Sequence, residues 1–302
     1  MHVTRVRYWI LAILLFLYLA GVLILSAVTL HEPRNSGNGK QSDRVQQYSR
    51  IKNYEYGIPG LRPPLRRSKI QWCSELKYMD PPKPPVALVS FPGSGNTWLR
   101  YLLQQATGYF TGSIYKDYGL LKNGFPAEYV SNGSVLVVKT HEWGQDARKI
   151  FSKAVLLVRA PGAAIQAEFN RQSGGHIGFA SPDRYKRTKG KYWQQFVTDK
   201  LESWKQTNLD WLYNFTGPTH VIFYEQLVDN LEHTLKSIIE FLDISVDASL
   251  FRCAIERKEG IYRRKRRVLN FDPYTEDMKK KLEDVQQKVY EAIYNFATPS
   301  KR

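Results

Sequence analysis

Four places in the sequence put reactive or anion-binding residues directly behind an apolar run. In "VALVSFPGSGNTW" the run from Val86 breaks at Pro92, Gly93, Ser94 and Gly95 and leads into Asn96, Thr97 and Trp98. Lys139-Thr140-His141 follows "VLVV", Arg159-Ala160-Pro161 follows "AVLLV", and Tyr224-Glu225 follows "HVIF". Loop amides and a helix N-terminus hold anions because both direct N–H donors at one point. A lysine, an arginine and an imidazole around such a loop suit transfer of an anionic group, where positioning and charge stabilisation dominate catalysis. The nucleotide-triphosphatase loop ends in Gly-Lys-Ser/Thr. Here Gly95-Asn96-Thr97 has no lysine, which excludes a nucleotide kinase.

These residues need a scaffold that brings four strand ends together. Apolar runs predict strands over 86–91, 135–138, 154–158 and 220–224. Helical spacing predicts helices over 95–106, 162–171, 192–213, 226–242 and 276–296. Continuous apolar strands separated by helices imply a three-layer α/β/α domain with a mostly parallel sheet covered on both faces. Ligands of such sheets bind outside the carboxyl ends of the strands, where all four segments fall.

The chain has 302 residues and a formal net charge of +16, so its partner is expected to be anionic: a nucleic acid, a nucleotide, an acidic glycan or an acidic membrane. Residues 9–30 carry no charge, and about 20 apolar residues suffice to span a bilayer. The run is longer than a signal-peptide core, and Arg5 and Arg7 precede it. It therefore predicts a type II signal anchor, with 1–8 cytoplasmic and the body lumenal. Residues 31–85, polar and then rich in proline, predict a stem, and 86–302 the folded domain. Asn132-Gly133-Ser134 and Asn214-Phe215-Thr216 are N-glycosylation sequons. Cys73 and Cys253 are the only cysteines, so a single disulfide or two buried thiols are the alternatives. A zinc framework is not available. Anchor and sequons together argue against a nucleic-acid partner.

"SFPGSGNTW", "VVKTHEW", "LLVRAP" and "VIFYEQLVDNLEHTLKSIIEFLDI" resemble, in the same order, motifs of sulfotransferases that use 3′-phosphoadenosine 5′-phosphosulfate (PAPS). The match covers about residues 86–260, and "AEFNRQSGGHIGFA" is most similar to the sulfotransferase region of the WSC-domain-containing family. The cysteine-rich WSC module itself is missing. The resemblance implies a fold similar to that of the nucleotide kinases, with the loop holding a 5′-phosphosulfate. Amides of Ser94, Gly95, Asn96, Thr97 and Trp98 would bind the 5′-phosphate, with the Thr97 hydroxyl added. Trp98 would stack on adenine, although an ordinary core aromatic is the other reading. His141 matches the general base, and Lys139 would face the bridging oxygen or the sulfonate. Arg159 matches the arginine of the 3′-phosphate, Tyr224 joins the donor set, and Arg257, Lys258 and Gly260 resemble the segment that closes over it.

Two departures stand out. Cytosolic PAPS-dependent sulfotransferases carry a lysine at the place of Gly93, and the sulfotransferase pattern has a serine at the place of Ala167. The implied function is a Golgi membrane sulfotransferase that moves sulfuryl from PAPS to a hydroxyl of a glycan, sialic acid among the candidates, without a metal. The alternative is a catalytically weak or inactive protein of this fold that binds acidic glycans in the secretory pathway. Gly93 and Ala167 favour the second, Lys139 and His141 the first. The basic run 263–267 is a solvated surface or an acceptor contact.

Overall fold

The computed structural model describes residues 70–264 and 269–297. The anchor at 9–30 and the stem up to residue 69 lie outside the described residues. Among those described, no helix is long and apolar enough to cross a membrane.

The strands are β1 (Val86–Ser90), β2 (Gly112–Ser113), β3 (Val138–Thr140), β4 (Lys153–Val158) and β5 (Thr219–Phe223). The first helices are α1 (Asn96–Thr107), α2 (Tyr118–Leu121), α3 (Gln145–Arg148), α4 (Pro161–Gly174) and α5 (Pro182–Lys186). They are followed by α6 (Lys191–Tyr213), α7 (Tyr224–Asp229), α8 (Leu231–Phe241), α9 (Ala248–Glu256) and α10 (Glu276–Ala297). The sheet order is β2-β3-β1-β4-β5, and every neighbouring pair is parallel.

Alternate strand residues point to opposite faces, and the core divides accordingly. Ala87, Val89, Ala154, Leu156 and Val158 pack with α4, α6 and α10, including the fully buried Trp204 and Trp211 of α6. Leu88, Val155, Leu157 and Ile222 pack with α1 and α8 on the other face. This is the predicted three-layer α/β/α arrangement.

Three boundaries differ from the expectation. Val135, Leu136 and Val137 are buried, but ladder pairing starts at Val138. Lys139 and Thr140 therefore lie within the strand. The helix expected over 226–242 breaks at Asn230, whose ψ of 59° leaves the helical range. The domain also begins before Val86. Gln105 in α1 bonds the backbone of Gln71 and Cys73, Lys77 bridges to Tyr109, and Met79 is buried. Despite their prolines, residues 70–85 are part of the packed body.

Candidate active site

β1 ends at Ser90, and the chain turns through a bond from the Ser94 N–H to the Phe91 oxygen, 3.2 Å long. α1 starts after Gly95 without a side-chain cap, and its first intrahelical bond is donated by Leu99 to Gly95. The amides of the first turn therefore have no acceptor within the helix and lend its end a partial positive charge. Beside them the Ser94 hydroxyl is buried without a hydrogen-bond partner. Those donors suit an anion. Asn96, by contrast, spends its side chain on the scaffold: Nδ2 donates to the Leu88 oxygen at 3.0 Å and to Ser90 Oγ at 3.2 Å. Its Oδ1 is buried without a partner but is an acceptor, so toward an anion Asn96 offers its backbone amide. Thr97 is partly exposed at the helix start.

The glycines are required by what surrounds the loop. Gly93 has φ +89°, and a Cβ there would overlap the Ala164 carbonyl and lie 2.8 Å from the Glu168 nitrogen, both in α4. Gly95 has φ +100°, and a Cβ would lie 2.6 Å from the Tyr224 ring. The Tyr224 ring packs against Gly95 of this loop, and the Arg159 guanidinium lies 4.1 Å from its centroid. Arg159 Nη1 donates to the Gly93 oxygen at 2.8 Å, while its Nε is buried without a partner. Arg159 and Tyr224 thus support the loop directly.

Lys139 pairs in register with Leu88, so its side chain leaves the sheet on the α1 face. It is buried, with Nζ 3.8 Å from Glu128 Oε1 and 5.5 Å from the Tyr115 ring centroid. Glu128 is itself fully buried and accepts from Arg100 Nη1 at 2.6 Å. Burial lowers the Lys139 ammonium to about 8, with Glu128 opposing the shift.

His141 Nδ1 lies 2.7 Å from the Ser90 carbonyl oxygen. Its backbone N–H donates to the Tyr115 hydroxyl at 3.0 Å, and its ring stacks on Tyr115 with centroids 5.7 Å apart. Burial and then the Lys139 cation bring its pKa down to about 3. The imidazole is neutral at physiological pH.

Residues that sequence reasoning did not single out complete the surroundings. Glu168 is fully buried in α4 and takes a fork from Arg171, Nε at 2.6 Å and Nη2 at 2.7 Å, plus a bond from Gln172. Burial opposes ionisation of Glu168, but Arg171 outweighs it and holds the carboxyl at about 2. Their spacing of three and four along a helix was a readable signal. Arg264, in the basic run, is not a solvated residue: Nη1, Nη2 and Nε donate to the carbonyls of Ala167, Gly175 and His176. The serine-less position 167 therefore sits under an arginine.

The segment after α9 is fastened across the start of α1. Trp98 Nε1 donates to the Lys258 oxygen, and the Tyr101 hydroxyl to the Arg257 oxygen, each at 2.7 Å. Gly260 at φ +52° packs on the Tyr101 ring, where a Cβ would meet carbon at 2.7 Å. The structure places these residues differently from the expectation in two respects. Arg257 turns its guanidinium to the Gln71 and Trp72 carbonyls, away from the loop. Trp98 is buried, edge-on to Tyr224 and covered by Arg263 at 5.1 Å, so an adenine stacked there must displace that guanidinium. Cys73 and Cys253 form a disulfide, which ties the residues before β1 to α9.

Asn132 and Asn214 are both exposed; Asn132 Oδ1 accepts from Ser134, and Asn214 Nδ2 donates to Asp210. Among the described residues no group of three or more His, Cys, Asp or Glu side chains could hold a metal ion.

No family model matches the chain. Among curated proteins, a WSCD family member of Aedes aegypti is 53% identical over 307 residues, covering 93% of this chain and 95% of that protein. A WSCD family member of Drosophila melanogaster is 51% identical over 310 residues, covering 94% and 96%. Among solved structures, a mouse sulfotransferase complexed with PAP overlaps at TM-score 0.44 and 16% identity, over 68% of this chain and 83% of that one. Retinol dehydratase in complex with androsterone and PAP overlaps at TM-score 0.36 and 12% identity, over 72% and 82%.

Proposed function

The chain belongs to the WSCD family, and from that premise we propose that it is a sulfotransferase that moves a sulfuryl group from PAPS to a glycan hydroxyl. The observation that carries this reading is the uncapped, lysine-free glycine loop joined at Ser90 to a neutral imidazole. The first-turn amides and the unpartnered Ser94 hydroxyl would hold the 5′-phosphate, with the Thr97 hydroxyl beside them. Arg159, whose buried Nε has no partner, would take the 3′-phosphate. The resemblance assigns Lys258 and Gly260 to the same end of the donor, whereas the Arg257 guanidinium is committed to the Gln71 and Trp72 carbonyls.

In the reaction, the acceptor hydroxyl gives its proton to Nε2 of His141. Its oxygen bonds to sulfur as the bond from sulfur to the 5′-phosphate oxygen breaks, and that electron pair leaves with the phosphate. A base with a pKa of about 3 is weak. An anionic donor next to the ring stabilises the imidazolium, however, and so raises its basicity when bound. Lys139 lies too deep to be a first contact, and in this reading it contributes charge from below, shared with Glu128.

We place the protein in the Golgi membrane with its domain in the lumen. The Cys73–Cys253 disulfide and two exposed sequons suit an oxidising secretory compartment. Sialic acids are the first acceptors to test. The rival reading, a binding protein for acidic glycans with little turnover, draws on the low basicity of His141. Transfer of labelled sulfate from PAPS to a glycan panel by the full-length chain separates the two: sulfated product supports the enzyme, and PAP binding without transfer supports the binding protein.

A further inference from the structure

The His141 imidazole is held at Nδ1 by the Ser90 carbonyl at the end of β1. A hydrogen bond at one ring nitrogen fixes an axis but leaves the ring free to tilt about it. Nε2 therefore needs a second constraint to keep one direction. Tyr115, just beyond β2, supplies it. Its ring lies 27° from the imidazole plane with centroids 5.7 Å apart, and its hydroxyl accepts the His141 N–H at 3.0 Å. One side chain thus meets His141 at both ring and backbone.

Tyr115 is itself held on several sides. Its hydroxyl donates to Glu142 Oε1 at 2.8 Å, which leaves the oxygen lone pairs for the His141 N–H. Burial and then the Glu142 carboxylate raise the phenol well above its ordinary range, so the hydroxyl keeps its proton. Glu142 is anchored in turn: its carbonyl accepts from Nε1 of the buried Trp211 at 2.8 Å, and its N–H donates to Thr140 Oγ1 at 3.1 Å. On the backbone, Ile114 N–H donates to the Lys139 carbonyl at 3.1 Å, and Tyr115 N–H to Ser113 Oγ at 3.0 Å. Lys139 Nζ lies over the same ring, 5.5 Å from its centroid and within cation–π reach. A single aromatic ring therefore meets both residues assigned to the transfer.

We propose that Tyr115 is the positioning residue of His141: its ring keeps the imidazole on the Ser90 carbonyl, and its hydroxyl holds the backbone behind it, so that Nε2 has one direction before an acceptor arrives. The proposal rests on the sulfotransferase reading above. Tyr115 exchanges no proton or electron pair with donor or acceptor, and acts only through His141. The effect is large because a displacement of about 1 Å in a reacting group can cost about a hundred-fold in rate.

Substitution of Tyr115 should then matter only where His141 is present. Tyr115→Leu removes ring and hydroxyl, and Tyr115→Phe the hydroxyl alone. Each is made in the full-length chain and in its His141→Ala variant, and single-turnover transfer of labelled sulfate from saturating PAPS to a glycan panel is measured. With His141 present, Tyr115→Leu should lower the rate about ten-fold to a hundred-fold and Tyr115→Phe by a smaller factor, with affinity for adenosine 3′,5′-bisphosphate kept within about two-fold. In His141→Ala each should change the rate by less than about two-fold. Equal fractional losses in the two backgrounds, or no loss in Tyr115→Leu, overturn the proposal. If thermal melts show that Tyr115→Leu does not fold, the Tyr115→Phe pair makes the same comparison. The imidazole nitrogen NMR spectrum of the isotope-labelled chain reads the same contact without turnover: wild type should show His141 as one tautomer with the proton on Nδ1, and Tyr115→Leu an average of two. A wild-type chain that makes no labelled product overturns the sulfotransferase reading, and the spectrum then decides on Tyr115, whose role is overturned by an unchanged tautomer in Tyr115→Leu.

Discussion

His141 is fastened to the end of β1, its Nδ1 lying 2.7 Å from the carbonyl oxygen of Ser90. A carbonyl only accepts, so Nδ1 carries the proton and Nε2 the lone pair. The strand that feeds the glycine loop therefore also selects the tautomer of the base. Because burial and Lys139 keep the ring neutral down to about 3, activity should not fail where a free imidazole protonates, near 6.5. The kcat/KM for PAPS, which reports the free enzyme, should stay flat from about pH 5 to about pH 7.5 as far as this group is concerned. An acid limb centred near 6.5 that vanishes in no other variant than His141→Ala would contradict the placement.

The same shift ties stability to pH. The folded pKa of His141 is depressed to about 3 from 6.5, so between those values the unfolded chain binds the proton that the folded site refuses. Stability falls as pH drops below about 6.5, by at most about 1.4 kcal/mol per pH unit for one group. Glu168, held at about 2, contributes stability above 4.5 that is lost as pH falls towards 2. Thermal melts from neutral to acid pH should fall less steeply in His141→Asn than in wild type. Parallel slopes would show that the ring titrates freely.

Arg159 supports the loop by its bond to the Gly93 oxygen and by its stacking on Tyr224. Arg159→Ala should weaken binding of adenosine 3′,5′-bisphosphate by about 2–5 kcal/mol, the cost of leaving a charged partner unpaired. Lys189→Ala, an exposed charge control, should bind as wild type does. Equal affinity in Arg159→Ala and wild type removes Arg159 from the donor site.

Gly93 is where substitution should be least tolerated. A Cβ at φ +89° would overlap the Ala164 carbonyl oxygen, so Gly93→Ala should cost about 2–5 kcal/mol by backbone strain and overpacking. A lysine at this position cannot restore a loop charge, because its backbone would have to move first. Denaturant unfolding of Gly93→Ala measures this; a loss under about 1 kcal/mol would mean that α4 yields.

The parallel sheet and the loop were legible because buried strands read as unbroken apolar runs, and glycines interrupt only one of them before a helix. The loop follows β1, Arg159 follows β4 and Tyr224 follows β5, whereas Lys139 and Thr140 lie inside β3 and His141 just after it. What each side chain touches was less legible. Lys139 reads as a strand-end cation, but its register opposite Leu88 sends it into a buried pair with Glu128, a residue that no local pattern joins to it. Trp98 and Arg263 meet only because the segment after α9 folds back over α1. Residues 70–85 look like linker by composition, yet a disulfide and the Gln105 side chain fix them to the body. Glu168 and Arg171 carried a helical signal, but nothing local shows that α4 lies against Gly93.

The central claim, sulfuryl transfer with His141 as the base, is tested most directly by single-turnover transfer of labelled sulfate from PAPS to sialylated glycans, with wild-type and His141→Ala chains at matched PAPS occupancy. The account predicts labelled product with wild type, and a rate about 10²–10⁴-fold lower in His141→Ala with donor affinity retained. Equal rates in the two chains would contradict it, because the acceptor proton would then have left by some group other than His141.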